Sequence, residues 1–356
     1  MRASRPATPS QPLDSRLMSV TEPQPAITSL PIDYDKRLML FAGRATPQLA
    51  ANIASKLAVE LGPTKLKTFS NGEVYCRYEE SIRGADVFIV QSTCGNAQEG
   101  LTANDALMEL LVMIDAAVGA SAHRVIAVVP WFGYSRQDKK SAPREPISAR
   151  LVARMLESAG ADRVLTMDLH AGQVQGFFSK PLDHMTARFI LAQHFIDLHL
   201  EDVVVVAPDV GRAKLAQKFA EKVGADLAVL TKERPAQQVA EIGYVIGEVA
   251  GKTAVIIDDI IDTAGTLCAA AQTLLEQGAK SVFAAATHGV FSGPAYENLA
   301  STPFERVVVT DTVAIAPGAP ENVFVLPCAD LLTDSIRRIF TDGSVSEVFG
   351  GENQLF

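Results

Sequence analysis

The sequence predicts an α/β fold built as two similar units, each a mainly parallel sheet flanked by helices. Two observations predict it. From Lys36 onward short β-branched runs alternate with amphipathic stretches, the pattern of repeated βα units with crossover helices. Several of those runs are apolar on both faces, as strands covered by helices on either side must be. The 356 residues are enough for two ordinary cores.

The strands are read at residues 38–41, 87–91, 125–129, 164–167, 203–207, 254–257, 282–286 and 307–310, with a further apolar strand at 227–230. Between them, residues 147–158 place Ile147, Leu151, Val152, Met155 and Leu156 on one helical face and Arg150 and Arg154 on the other, and Gly160 supplies a stop. Residues 213–223 and 267–277 read the same way. The pattern repeats: a strand, loop and helix lead up to residues 166–168, and a comparable series leads up to 257–259. Residues 36–184 are therefore expected to form one unit and 185–330 the other, with the boundary near residues 183–187. The segment 331–356 is expected to fold back onto the first. Met1 to Pro31 is rich in Pro, Ser and Thr and has no continuous apolar run, so residues 1–35 read as a disordered extension.

Composition narrows the function. A formal charge of −9 argues against a nucleic-acid-binding protein, but leaves room for a small anionic substrate, because backbone amides can build a local phosphate site. Cys76, Cys94, Cys268 and Cys328 are scattered, with no CxxC pair, so buried thiols in a reducing cytoplasm are expected rather than disulfides or structural zinc. No apolar run is long enough to span a bilayer.

The sharpest chemical signal is Val255-Ile256-Ile257-Asp258-Asp259-Ile260-Ile261-Asp262-Thr263-Ala264-Gly265-Thr266. An apolar strand runs into two adjacent acids, then a loop of small and hydroxyl residues, then a helix. Small residues let backbone wrap a phosphate, and the helix start offers free N–H groups. Asp258 and Asp259 are suited to hold two ribose hydroxyls or a hydrated magnesium ion. An acidic turn capping a helix is the plain alternative.

Five other segments carry weaker signals. In Asp168-Leu169-His170, at a strand end, an acid and a histidine two apart should point to the same side, where they can hold a magnesium nucleotide. The stretch from Trp131 to Pro146, containing Arg136 and Gln137, sets four cations against two acids in an acidic protein; a solvated loop is its bland reading. Phe69-Ser70-Asn71-Gly72-Glu73 is by itself a turn before a strand. In Thr231-Lys232-Glu233-Arg234-Pro235, Lys232 is a mobile point charge and Arg234 a planar fork for phosphate. Asp209, in Pro208-Asp209-Val210-Gly211-Arg212, reads equally well as a helix cap.

The Asp258–Thr266 string resembles the phosphoribosyl-diphosphate loop shared by type I phosphoribosyltransferases and ribose-phosphate diphosphokinases, and alone does not choose between them. The other segments do. Residues 168–178 resemble the diphosphokinase signature, residues 131–146 the loop that closes over ATP, and residues 232–235 the Lys-x-Arg-Pro element. Motif order is kept from about residue 36 to 349. Two type I phosphoribosyltransferase-like domains are implied, with transfer of the ATP diphosphoryl group to ribose 5-phosphate. The resemblance implies Asn71, Gly72, Glu73, Arg136 and Gln137 at ATP, with the turn usually serving a neighbouring subunit. It implies Asp258, Asp259, Asp262, Thr263, Ala264, Gly265, Thr266 and Arg234 at ribose 5-phosphate, Lys232 in catalysis, and His170 and Asp209 on Mg2+. It further implies a cytoplasmic homo-oligomer, a hexamer built from dimers, with phosphate and ADP as effectors; Glu80-Ser81-Ile82-Arg83-Gly84 resembles an effector-site segment. A phosphoribosyltransferase and a catalytically silent regulatory subunit are the competing readings.

Overall fold

The computed structural model describes residues 36–236 and 239–349, with the side chains of residues 232–243 and 349 outside that description. The extension read at residues 1–35 and the last residues, 350–356, lie outside it as well.

The first half runs β1 (Leu38–Ala42), α1 (Pro47–Leu57), a hairpin of β2 (Thr64–Thr68) and β3 (Val74–Tyr78), β4 (Asp86–Val90), α2 (Ala103–Gly119), β5 (Arg124–Val129), α3 (Ser148–Ala159), β6 (Arg163–Met167) and β7 (Leu182–Met185). Its five-stranded sheet has the order β1-β4-β5-β6-β7, and every pairing is parallel. Strand alternation splits the core in two. Val87, Ile89, Val125 and Ala127 face the side covered by α2 and α3, whereas Phe88, Val90, Ile126 and Val128 face the side covered by α1. Helix α2 starts at a reciprocal cap between Thr102 and Asp105. Helix α3 ends at Gly160, whose φ of 109° is open to glycine without strain. Leu151 departs from the expected face and is exposed; Ala149, Val152, Ala153 and Leu156 make the buried stripe.

The second half runs α4 (Arg188–Asp197), β8 (Val203–Ala207), α5 (Ala213–Val223), β9 (Asp226–Ala236), β10 (Val239–Ile246), β11 (Thr253–Ile261), α6 (Gly265–Glu276), β12 (Ser281–Gly289), α7 (Ala295–Ser301), β13 (Phe304–Thr310), β14 (Val323–Leu326) and α8 (Ala329–Phe340). The seven strands lie in the order β10-β9-β8-β11-β12-β13-β14, with β10 antiparallel to β9. Ala254 and Ile256 of β11 pack toward α6, while Val255 and Ile257 pack toward α4 and α5. Strand β9 continues through Lys232 to Ala236 because β10 supports it, Lys232 lying opposite Ile242. Its other edge leaves β8 at Val229, which suits Pro235, a residue with no N–H to give.

The chain returns at its end: Leu332, Ile336 and Ile339 of α8 pack with Leu49 and Ile53 of α1 on the first sheet. A charged tie completes that return. Asp86, buried at the start of β4, accepts from Arg124 and, at 2.9 Å, from His123, and Asp342 beyond α8 accepts from Lys36 at 2.7 Å and Arg124 at 3.0 Å. Burial opposes the Asp86 charge, but the bonds from Arg124 and His123 outweigh it and hold the carboxyl below its usual range. A depressed folded-state pKa gives stability that is present above the unfolded value of about 3.9 and is lost as pH falls through the folded one. The stability gap between the parent and Asp86→Asn, followed by thermal melting, should therefore be full at neutral pH and shrink below about pH 4.

Candidate active site

Strand β11 loses β8 after the Ile256–Val206 pair but keeps β12 as far as Ile261 and Gly289. It thus runs past the residue 257 expected for its end and carries Asp258 and Asp259 on a strand edge opened beside β8. Into that opening reaches Arg212, from a single 3-10 turn at Val210–Arg212 capped by Asp209, whose Oδ1 accepts from the Arg212 amide at 3.2 Å. The Arg212 guanidinium lies 3.2 Å from Asp258 Oδ1 and 2.7 Å from Asp259 Oδ1. From the first half, His170 Nδ1 meets Asp259 Oδ2 at 2.8 Å.

These contacts polarise the acid pair. Burial and the neighbouring charge of Asp259 push Asp258 well above the usual carboxylate range. Burial opposes the charge on Asp259 too, but the His170 bond and the Arg212 guanidinium outweigh it and hold Asp259 far below that range. One member is thereby kept as the anion.

Downstream, Ala264 takes the left-handed conformation, φ 61°, and opens α6. The loop is held from outside: Ser292 N donates to Asp262 O at 3.1 Å and Asn298 Nδ2 to Thr263 O at 2.8 Å. Its carbonyls thus occupied, the loop is left to present hydroxyls and the first-turn amides, which have no intrahelical acceptor. Arg136 donates to Asp262 Oδ2 at 2.6 Å, while Asp262 Oδ1 is buried with no hydrogen-bond partner.

One cavity of about 370 Å3 is lined by Arg136, His170, Asp209, Asp258, Asp259, Asp262, Thr263, Ala264, Gly265 and Thr266, together with Arg212. A second, of about 320 Å3, lies against it and shares His170, Arg212 and Asp259. The remaining expected residues are elsewhere. Asn71, Gly72 and Glu73 form the exposed tip of the β2–β3 hairpin, where Asn71 Oδ1 accepts from the Glu73 amide at 3.2 Å. Gln137 accepts from Ser148 at the start of α3. The side chains of Lys232 and Arg234 lie outside the described residues.

Asp168 and His170 do not share a side. A positive φ of 32° at Asp168 breaks the strand alternation. The Asp168 carboxylate turns to Thr287 Oγ1 at 2.6 Å and Ala187 N at 2.8 Å, while His170 bonds Asp259 of the acid pair. Sequence reasoning gave Arg212 and Asn298 no role. An arginine three residues after a capping aspartate was the available signal for the first; nothing local marks the second. Among the described residues no group of three or more His, Cys, Asp or Glu gathers to hold a metal ion.

The chain is similar to known proteins. Residues 38–160 match the N-terminal domain of ribose phosphate pyrophosphokinase, and residues 237–350 the phosphoribosyl synthetase-associated domain. A ribose-phosphate pyrophosphokinase of Clostridium perfringens is 47% identical over 321 residues, covering 89% of this chain and 99% of its own. One from Caldanaerobacter subterraneus is 48% identical over 318 residues, with the same two coverages. The chain belongs to the ribose-phosphate pyrophosphokinase family. Phosphoribosylpyrophosphate synthetase from Mycobacterium smegmatis, 46% identical, superposes with a TM-score of 0.79 over 86% of this chain and 100% of its own. Membership makes the chain an enzyme, and the α/β architecture of two phosphoribosyltransferase-like units is the family's.

Within this pyrophosphokinase the Asp168 bonds join the two halves beside the site. Asp168→Ala leaves the Thr287 hydroxyl and the Ala187 N–H without their charged acceptor, and should lower stability by about 3 kcal/mol. Chemical denaturation measures it; an unchanged midpoint would show that Asp168 does not hold this joint.

Proposed function

We propose that the cavity bearing the acid pair and the 262–266 loop is where this enzyme transfers the β,γ-diphosphoryl group of ATP to the C1 hydroxyl of ribose 5-phosphate. The observation that carries the proposal is the convergence, on one cavity, of the phosphate-sized loop, Asp258 and Asp259, His170 and the cation Arg136. The C1 oxygen attacks the β-phosphorus as the bond from that phosphorus to the α,β-bridging oxygen breaks. AMP leaves with the bridging oxygen, the hydroxyl proton is lost, and phosphoribosyl diphosphate remains. Such transfers need positioning and charge rather than covalent help from the protein.

Thr263, Ala264, Gly265 and Thr266 take the 5-phosphate on the loop and the start of α6. Asp258 and Asp259 accept from the ribose hydroxyls, and the buried, unpartnered Asp262 Oδ1 has an acceptor to offer. Arg136, Gln137 and His170 lie on the ATP side. Lys232 and Arg234 meet the charge that develops on the phosphates.

The residues present fit magnesium. It keeps several waters and is bound through one or two carboxylates besides substrate phosphates, and Asp209 lines the cavity with such a group. Asp209 and His170 open on the same cavity and would hold the ion. Bound there, it would neutralise phosphate charge.

The hairpin tip at Asn71, Gly72 and Glu73 is exposed and lines neither cavity, which supports a role at the adenine of a neighbouring subunit in a hexamer built from dimers. Residues 36–184 with 331–356, and 185–330, are proposed as the two domains. Phosphate and ADP are proposed as effectors and the cytoplasm as the compartment; no helix among the described residues is long and apolar enough to cross a membrane.

AMP release from ATP should depend wholly on ribose 5-phosphate. A phosphoribosyltransferase would release none, and release without the pentose would refute the assignment. Lys232→Ala should lower turnover at least about a hundredfold; near-normal turnover in the folded variant removes Lys232 from catalysis.

A further inference from the structure

We infer that Arg212 is a movable counter-ion. With no ligand it neutralises Asp258 and Asp259; when ribose 5-phosphate takes those carboxylates, the guanidinium passes to the diphosphoryl group in transfer. This rests on the assignment of the two acids to the ribose.

Three observations carry it. First, Arg212 holds the contacts the sugar needs. Its Nε and Nη2 lie 3.2 Å from Asp258 Oδ1 and 2.7 Å from Asp259 Oδ1, so the guanidinium competes with incoming hydroxyl donors for those oxygens. The incoming hydroxyls are neutral, however, and the carboxylate charge still requires a cation within a few ångströms. A short swing meets both demands.

Second, the present arrangement is not fully satisfied. His170 Nδ1 lies 2.8 Å from Asp259 Oδ2 and also 2.8 Å from Arg212 Nη2. If Nδ1 carries a proton it donates to Asp259, and the guanidinium N–H then faces a second donor. If Nδ1 is bare it can accept from Arg212, but its lone pair then faces the carboxylate. Neither tautomer satisfies both contacts. Withdrawal of the guanidinium relieves this conflict and frees His170 to donate to Asp259.

Third, Arg212 stands on the wall that the two cavities share, with His170 and Asp259. Its main chain is fixed by the Asp209 cap, so only the side chain need move, and it turns between two polar spaces. A planar fork with five donors suits phosphate oxygens. In that position it meets the charge gathering on the α,β-bridging oxygen as the bond to the β-phosphorus breaks.

The test uses Arg212→Ala and Arg212→Lys in the full chain. Mn2+ binding to nucleotide-free protein is read by electron paramagnetic resonance, beside steady-state kinetics. Arg212→Ala removes a positive charge from beside His170 and the acid pair and should bind Mn2+ at least about tenfold more tightly. Its kcat should fall at least about thirtyfold, while KM for ribose 5-phosphate does not rise. Arg212→Lys keeps the charge but loses the fork, so its Mn2+ affinity should stay near the parent's while kcat remains reduced about tenfold. This variant decides the matter should the alanine protein not fold. A folded Arg212→Ala protein with kcat within about threefold of the parent, or with Mn2+ bound no more tightly, overturns the inference. Asp259→Asn separates the two levels. Ribose 5-phosphate affinity unchanged in that variant sinks the site assignment itself; affinity lost there, with Arg212→Ala inert, sinks only the role of Arg212.

Discussion

His170 comes from the end of the first sheet and Asp259 from the second, yet their side chains meet at 2.8 Å. A contact of that length between two separately folded layers demands that the layers be fixed against each other to a fraction of an ångström. The ties that fix them lie directly behind it. His288 of β12, wholly buried, reaches the carbonyls of Met167 and Asp168, each at 3.2 Å, and Trp131 packs on its ring at 4.7 Å. Burial holds His288 below its usual pKa, so it serves as a neutral bridge with one donor toward the first sheet and Thr312 at its other nitrogen. Ser92 Oγ crosses the same joint to Thr312 O at 2.6 Å. Buried polar groups of this kind specify one geometry rather than merely adding stability, because any sliding of the sheets would leave several of them unpaired at once.

Most of this frame was legible in the sequence, and the parts that were not share a cause. Residues 87–90, 125–129 and 254–257 are continuous apolar runs rich in β-branched residues, as strands covered on both faces require. Strand β7, Leu182-Asp183-His184-Met185, is short and mixed in polarity, and exists because β6 offers it an edge; local pattern carries no trace of that partner. The same holds for β10 and β14, and for the overrun of β11 to Ile261. Leu151 is apolar and exposed, since hydrophobicity alone does not say which side of a helix meets the sheet. At the site, the loop from Asp258 to Thr266 was readable because phosphate wrapping needs small residues in sequence. The opposite orientations of Asp168 and His170 were not, because they turn on one positive φ that a non-glycine residue rarely adopts.

An acidic protein that handles two polyanions needs its positive charge in few places and already aimed. Here Arg136 lies on Asp262 at 2.6 Å and Arg212 on the acid pair, so the two described guanidiniums that line the cavity of the acid pair are each bound to a carboxylate. At Asp259, which is buried, such pairing avoids an unpaired buried charge, a state that costs several kcal/mol. Under the proposed assignment of the acid pair to the ribose, it also couples the substrates. Sugar hydroxyls that displace an arginine from its acid leave that arginine seeking an anion, and the nearest large anion is the phosphate chain of the nucleotide. Charge compensation of this kind makes binding of one substrate prepare the site for the other without a change of fold, through side chains alone.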